Sequence, residues 1–183
     1  MITIKVPATS ANIGPGFDSL GVALQLYLTL EIHEETATWI VDHDFSDTMP
    51  HADKHFIVHT ALSLSANLNP HHIIVTSDIP LARGLGSSSS ALIAGLAMAN
   101  ILSDLNLSND TLLLNATVLE GHPDNVAPAL LGGGVAAYYD GSHVFHAPLK
   151  MPKNIDFVTF IPNYKLLTSA ARSALPDSLS FHE

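Results

Sequence analysis

The chain has 183 residues, a formal net charge of -10, and 47% hydrophobic against 13% charged residues. This composition is typical of a globular protein and excludes a disordered one, and the length fits one domain or one domain with part of a second. Seven basic residues are too few for a surface that binds the phosphate backbone of nucleic acids, so no nucleic-acid partner is expected.

Cysteine is absent, which excludes disulfides and thiolate sites for zinc or catalysis. The N-terminal segment has no apolar core of signal-peptide length, and the longest apolar stretch, 91–102, is shorter than the about 18 residues that a membrane span needs. We therefore expect a soluble, cytoplasmic protein that does not contact membranes.

Alternating apolar and polar residues predict the first strands of the chain. The pattern indicates strands over 2–8 and 26–35, and segment 36–44 is predicted to form a hairpin with the second of them. The glycine-rich stretch between the two strands predicts turns around a short helical piece.

The middle of the chain predicts a helix, a strand and a second helix in succession. Ile57, Ala61, Leu64 and Leu68 share one face of a helix predicted over 54–68. A strand over 72–80, rich in β-branched residues, leads into the sequence PLARGLGSSSSAL, and an alanine- and leucine-rich helix capped by serine is expected over 87–104.

The last third predicts a further helix and more strands. A helix is expected over 109–119 with Asn109 or Asp110 near its start, followed by a hairpin over 135–149 that turns at Asp140–Gly141. A final strand is predicted over 155–161. Helices and strands interleave without a regular βαβ rhythm, so the predicted class is α+β, with a boundary near 150–154.

The Gly/Ser segment lies where a strand ends and a helix begins. A helix N-terminus leaves N–H groups unpaired and carries about +0.5 charge, so it stabilises a phosphate. Gly84 and Gly86 allow close backbone approach, and the serine hydroxyls can donate hydrogen bonds or ligate magnesium. Composition alone leaves a phosphate loop and an ordinary capped loop equally supported.

Several familiar sites are missing from the sequence. There is no Walker P-loop, no Rossmann glycine pattern and no nucleophile elbow, so the serines are expected to be donors rather than nucleophiles. The pairs His51/His55 and His71/His72 lack a third ligand at a suitable spacing, and no zinc site is predicted.

The sequence EGHPDN, at 120–125, concentrates carboxylate, imidazole and carboxamide groups between two apolar helices. These groups either cap a helix or, beside a phosphate loop, hold magnesium. Arginine is scarce, and its planar guanidinium suits a phosphate or a carboxylate. For Arg83, inside the serine loop, a surface charge is the favoured interpretation; Arg172 follows the final predicted strand.

Three motifs in order resemble the GHMP family of small-molecule kinases. Residues 80–88 match Pro-x-x-x-Gly-Leu-Gly-Ser-Ser, which the whole family shares, whereas 7–24 and 120–133 resemble the homoserine kinases within it. The resemblance implies a ribosomal protein S5 domain 2-like, ATP-binding domain over 1–150. It implies that 151–183 begin a ferredoxin-like C-terminal domain, which is incomplete here because family members continue much further.

The resemblance also implies site residues. Magnesium would be held by Ser87 or Ser88 together with Glu120. The residues implied to bind homoserine are Asn12, Asp18, His122, Asn125, Thr168 and Arg172. Those implied to wrap the phosphates of ATP are Pro80, Leu81, Ala82, Arg83, Gly84, Leu85, Gly86, Ser87, Ser88, Ser89 and Ser90.

The implied reaction is phosphorylation of the side-chain hydroxyl of L-homoserine by Mg²⁺-ATP, in threonine biosynthesis. Asp18 suits the substrate ammonium and Arg172 its carboxylate, and Asn125, Glu120 and Arg172 are the implied catalytic residues. We expect in-line transfer without a strong side-chain base, because positioning and charge stabilisation can carry phosphoryl transfer.

The alternative function is a non-catalytic nucleotide-binding or interaction module of the same family. The acidic charge argues against an RNA-binding S5-like module. If the chain self-associates, a homodimer is the expected assembly.

Overall fold

The computed structural model of the chain describes residues 1–45, 50, 52–152, 154–161, 163–164, 173, 176 and 178. Strands and helices alternate irregularly along the chain, which agrees with the α+β class. In chain order they are β1 (Ile2–Ala11), β2 (Leu20–Glu35), β3 (Ile40–His43), α1 (Phe56–Leu64), β4 (His71–Ser77), α2 (Ser87–Leu102), α3 (Asn109–Glu120), α4 (Val126–Leu131), β5 (Gly134–Tyr139) and β6 (Val144–Leu149).

The sheet is built around the long strand β2. Strand β1 runs antiparallel along one side of β2, while β4 and β5 pair antiparallel with two different parts of its other side. Strand β3 lies outside β4 and parallel to it. The hairpin predicted between β2 and segment 36–44 is therefore wrong, because β1 and β4 already occupy both sides of β2 there.

The core lies between one face of the sheet and the helices. Leu28, Leu30 and Ile32 alternate along β2 and are buried. On α1 the predicted apolar face is confirmed at Ile57 and Ala61, which are 1% and 0% exposed. Full burial of such an aliphatic side chain contributes roughly 1.5 to 3 kcal/mol, so this layer holds the helices against the sheet.

The connection between β1 and β2 is shorter than predicted. Pairing continues to Ala11 opposite Gly21, so only residues 12–19 form turns and no helical piece separates the strands. The turn therefore lies at one end of β1 and β2, close to the start of α2.

The predicted hairpin at Asp140–Gly141 is confirmed by β5 and β6. The strand predicted over 155–161 is wrong, since in the described part of the chain this segment pairs with no other strand. Its apolar side chains are largely exposed, with Phe160 at 90%.

Within the described residues, the helices lack the combination of length and apolar composition that a membrane span requires.

Candidate active site

A cleft of about 420 Å³ lies where the end of β1, the loop before α2 and the segment after α3 meet. Residues 82–89 of the predicted phosphate loop line it, together with Asn12, Glu120, His122 and Asn125. The three sequence motifs, which are far apart in the chain, therefore meet at one place.

The loop before α2 enters the helix through glycines with left-handed backbone. Gly84 has φ +74° and Gly86 has φ +64°. Gly86, which has no side chain, is the N-cap of α2, so the predicted serine cap is wrong: the serine run begins at the first residue of the helix. The first N–H groups of this 16-residue helix thus keep the partial positive charge of the N-terminus for a ligand in the cleft.

The four serines divide into two pairs. Ser89 and Ser90 are buried, and their hydroxyls bind the protein: Ser89 Oγ donates to Glu120 Oε1 at 2.9 Å, and Ser90 Oγ donates to the carbonyl oxygens of Pro7 and Gly86. Ser87 and Ser88 are less buried and line the cleft. Hydroxyl and carboxylate oxygens are the ligands that Mg²⁺ prefers, so Ser87, Ser88 and Glu120 fit such an ion.

Arg83 is not the exposed surface charge that was favoured from the sequence. It is partly buried and lines the cleft, and its Nη1 is buried without a hydrogen-bond partner among the described residues. An unpaired buried donor is costly, and a bound anion would satisfy it.

A second, apolar pocket of about 180 Å³ adjoins the cleft. Phe45, Phe56 and Leu81 contribute to its lining, and it shares Ser87 and Ser88 with the cleft. A flat apolar group attached to a phosphate chain could therefore occupy both cavities at once. Of the predicted loop, Leu81 contributes to this pocket rather than to the cleft.

The turn between β1 and β2 carries two of the predicted substrate-binding residues, Asn12 and Asp18. Asn12 Oδ1 accepts a hydrogen bond from the backbone N–H of Asp18 at 2.9 Å, and both residues have positive φ. A carboxylate oxygen of Asp18, a ring nitrogen of His122 and a carboxylate oxygen of Asp124 all lie within 4.8 Å of one another. The turn thus places a carboxylate beside the EGHPDN segment.

The EGHPDN segment is held tightly against the sheet. A Cβ at Gly21 of β2 would lie 1.8 Å from the carbonyl oxygen of Asp124, which shows how closely the two backbones approach. Asp124 is 2% exposed and accepts a hydrogen bond from His122 Nδ1. Asn125 Oδ1 accepts from the hydroxyl of Thr9 at 2.8 Å.

Two predicted residues, Thr168 and Arg172, lie outside the described residues. Their roles toward the substrate carboxylate stay predictions.

Comparison with known proteins identifies the domain. Residues 55–133 match the family model for the GHMP kinases N terminal domain. Over all 183 residues the chain is 69% identical to homoserine kinase of Leuconostoc mesenteroides and spans 63% of that protein. Residues 55–133 thus carry the N-terminal domain of the GHMP kinases.

Solved structures agree with this assignment. A Listeria monocytogenes protein assigned as a homoserine kinase is 45% identical, with a TM-score of 0.85 over 98% of this chain and 61% of that one. The homoserine kinase of Cytophaga hutchinsonii is 26% identical, with a TM-score of 0.76 over 98% of this chain and 62% of that one. The chain thus spans less than two thirds of the length of these relatives.

Sequence reasoning missed two contributors to this candidate site. Asp124 lies in the EGHPDN motif but has no role predicted from the sequence, although its burial and its contact with His122 make it the support of the segment. Nothing in the sequence distinguishes Thr9, because a threonine in a strand carries no specific signal. Both were discoverable only from contacts that the fold creates.

We expect the pKa of His122 to fall when Asp124 is changed to asparagine. The hydrogen bond to Asp124 raises this pKa above its ordinary value against the opposing effect of burial, and the charges of Asp124, Asp18 and Glu120 raise it further. A raised folded-state pKa means that this contact stabilises the fold fully below the unfolded pKa and that the stabilisation is lost as pH rises through the folded pKa.

NMR titration of the His122 ring checks this expectation. Asp18→Asn is the matched comparison, since Asp18 acts only through its charge and should lower the pKa less than Asp124→Asn does. An unchanged His122 pKa in Asp124→Asn would show that the hydrogen bond does not control it.

Proposed function

We propose that this chain binds Mg²⁺-ATP at the N-terminus of α2 and positions the side-chain hydroxyl of L-homoserine for phosphorylation to O-phospho-L-homoserine, a step of threonine biosynthesis. The observation that carries the proposal is that one cleft joins the uncapped helix N-terminus to Glu120 and Asn125. Similarity to homoserine kinases over the full chain supports the choice of acceptor.

The phosphates of ATP would lie on the loop and first turn of α2. Their negative charge suits the free N–H groups and the positive end of the helix dipole. Nη1 of Arg83, which has no hydrogen-bond partner in the part of the chain that the structure describes, supplies a further donor inside a chain of net negative charge. The observations therefore favour anion binding at this place despite the scarcity of basic residues.

The adenine base would occupy the apolar pocket that adjoins the cleft. Phe45, Phe56 and Leu81 offer an apolar lining, and the shared Ser87 and Ser88 connect the two cavities. Burial of the planar base there would fix the direction of the phosphate chain across the start of α2.

Magnesium would be held by Glu120 with Ser87 or Ser88 and would neutralise charge on the phosphate oxygens. Ser89 supports this arrangement, because its hydrogen bond to Glu120 Oε1 fixes the carboxylate against α2. The residues of the cleft then keep the carboxylate where phosphates on α2 can share the ion.

The acceptor would lie between the β1–β2 turn and the EGHPDN segment. Asp18 suits the substrate ammonium, and Asn12 and His122 would add hydrogen bonds; Thr168 and Arg172 are proposed for the carboxylate. The carboxamide of Asn125 cannot take up the hydroxyl proton, so it would position the hydroxyl in line with the γ-phosphoryl group. The hydroxyl oxygen would bond to the γ-phosphorus as the bond to the β–γ bridging oxygen breaks and ADP leaves, and the hydroxyl proton would pass to an oxygen of the transferred phosphoryl group. Positioning and charge stabilisation would carry this transfer.

A direct phosphorylation assay tests this proposal. Mg²⁺-ATP is supplied to the 183-residue chain with L-homoserine, L-serine or no acceptor, and phosphomonoester formation is followed by ³¹P NMR. The proposal expects product with homoserine only. ATP binding without product would favour the non-catalytic nucleotide-binding module, and absence of both would contradict the proposal.

The proposal includes action in the cytoplasm and a homodimer. The cysteine-free, acidic composition supports the location. Sedimentation of the same preparation measures the assembly directly.

A further inference from the structure

Thr9 of β1 connects the two halves of the candidate site. It is 0% exposed, lying beneath the cleft rather than in it. Its hydroxyl donates to Asn125 Oδ1 at 2.8 Å, and its backbone N–H donates to the carbonyl oxygen of Leu85 at 3.1 Å. Thr9 is therefore hydrogen-bonded both to Asn125, on the proposed homoserine side of the cleft, and to the loop before α2.

The contacts of Asn125 determine which way its carboxamide points. Asn125 Nδ2 lies 3.4 Å from Asp124 Oδ1, the same oxygen that accepts the hydrogen bond from His122 Nδ1. A flipped amide would bring two acceptor oxygens together at Asp124, whereas the Thr9 hydroxyl provides a donor for Oδ1 in the observed orientation. Thr9 and Asp124 together hold Oδ1 of Asn125 towards β1. One of the two N–H groups of Nδ2 is then left to donate to a ligand in the cleft.

The loop is shaped to permit this contact. A Cβ at Gly86 would lie 2.0 Å from Thr9 Oγ1 and 3.1 Å from Asn125 Oδ1. The hydroxyl thus reaches Asn125 directly beneath the N-cap of α2, through space that only glycine leaves open. The relative position of loop and carboxamide is defined over a few ångströms by buried groups.

We propose that Thr9 is a positioning residue: it holds the Asn125 carboxamide as a hydrogen-bond donor toward the acceptor hydroxyl, in fixed register with the phosphate loop. This inference rests on the proposed function for its kinetic consequence. Its structural part, the fixed orientation of the Asn125 amide, stands independently of any reaction.

Three variants separate positioning from packing. Thr9→Val keeps the shape and removes the hydroxyl, and Thr9→Ser keeps the hydroxyl. Thr117→Val is the matched control, since Thr117 is also 0% exposed but its Oγ1 has no hydrogen-bond partner among the described residues and it does not line the cleft. Circular dichroism and thermal unfolding establish that each variant is folded.

The first measurement is steady-state kinetics of homoserine phosphorylation. Thr9→Val is expected to lower kcat roughly 10-fold, because an orphaned carboxamide oxygen lets the amide rotate, while KM for ATP is unchanged. Thr9→Ser should retain most of the activity, and Thr117→Val should match the parent. Equal kcat in folded Thr9→Val and parent would overturn the kinetic role.

The second measurement needs no turnover. The ¹⁵N side-chain resonance of Asn125, assigned by its disappearance in Asn125→Asp, should show a rigid amide in the parent, Thr9→Ser and Thr117→Val, and a lower heteronuclear NOE in Thr9→Val. An equally rigid amide in Thr9→Val would overturn the inference. Loss of rigidity in Thr9→Val in a chain that transfers no phosphate would contradict the proposed function but uphold the constraint by Thr9.

Discussion

Glu120→Gln is expected to lower kcat for homoserine phosphorylation about 100- to 1000-fold, the usual consequence of losing one preorganised electrostatic contact to the transition state. The carboxylate is the charged oxygen ligand that the cleft offers to magnesium beside Ser87 and Ser88. Glutamine keeps an oxygen that accepts from the Ser89 hydroxyl, so the contact between α3 and α2 should persist. Thermal unfolding should therefore change little while turnover is lost.

Glu35→Gln provides the matched control. Glu35 is exposed at the end of β2 and does not line the cleft, so the same loss of charge should leave turnover unchanged. The assignment of Glu120 would be contradicted if Glu120→Gln kept parental kcat at saturating magnesium, or if both variants lost activity equally.

Gly86→Ala is expected to destabilise the fold by about 2 to 5 kcal/mol and to abolish ATP binding. Two costs combine: alanine at φ +64° costs about 1 to 2 kcal/mol, and overpacking against Thr9 and Asn125 costs about 1 to 3 kcal/mol. Relief of the contact requires either that the Thr9 hydroxyl rotates away from Asn125 or that the N-cap of α2 moves away from β1, and either shift would disturb the loop proposed to bind the phosphates. Urea unfolding and calorimetric titration with Mg²⁺-ATP measure the two effects.

Gly84→Ala separates the two costs. Gly84 lies in the same loop with φ +74°, but a Cβ there would meet no atom of the described residues within 4 Å. Its unfolding free energy should fall by only about 1 to 2 kcal/mol, the backbone cost alone. Equal destabilisation of both variants would show that Gly86 has no special contact with Thr9.

The sequence could predict the features that depend on local chemistry. Glycines before a serine-rich apolar run indicate a helix N-terminus, and Asp140–Gly141 indicates a hairpin, because the required backbone conformations are encoded at those positions. Strand pairing is less accessible. Segment 36–44 looks like a hairpin partner for β2, but β3 instead joins β4, and only the folded sheet shows that both sides of β2 are occupied.

The site shows the same division. Its loop and its acidic segment were recognisable as motifs, whereas the contact between Thr9 and Asn125 spans 116 positions in the chain. The serine cap was predicted wrongly because serine favours N-caps in general, yet here close approach of Thr9 requires a glycine at that position. Arg83 was predicted to be a surface charge, because its burial depends on how the loop folds and cannot be recognised in the sequence.

A structure of the chain with L-homoserine and a non-hydrolysable ATP analogue would show how the reacting groups are placed. We expect the phosphates on the first N–H groups of α2, the base beside Phe56, and the homoserine hydroxyl at Asn125 Nδ2, in line with the γ-phosphorus. Phosphates bound elsewhere, or a hydroxyl directed away from Asn125, would contradict this expectation.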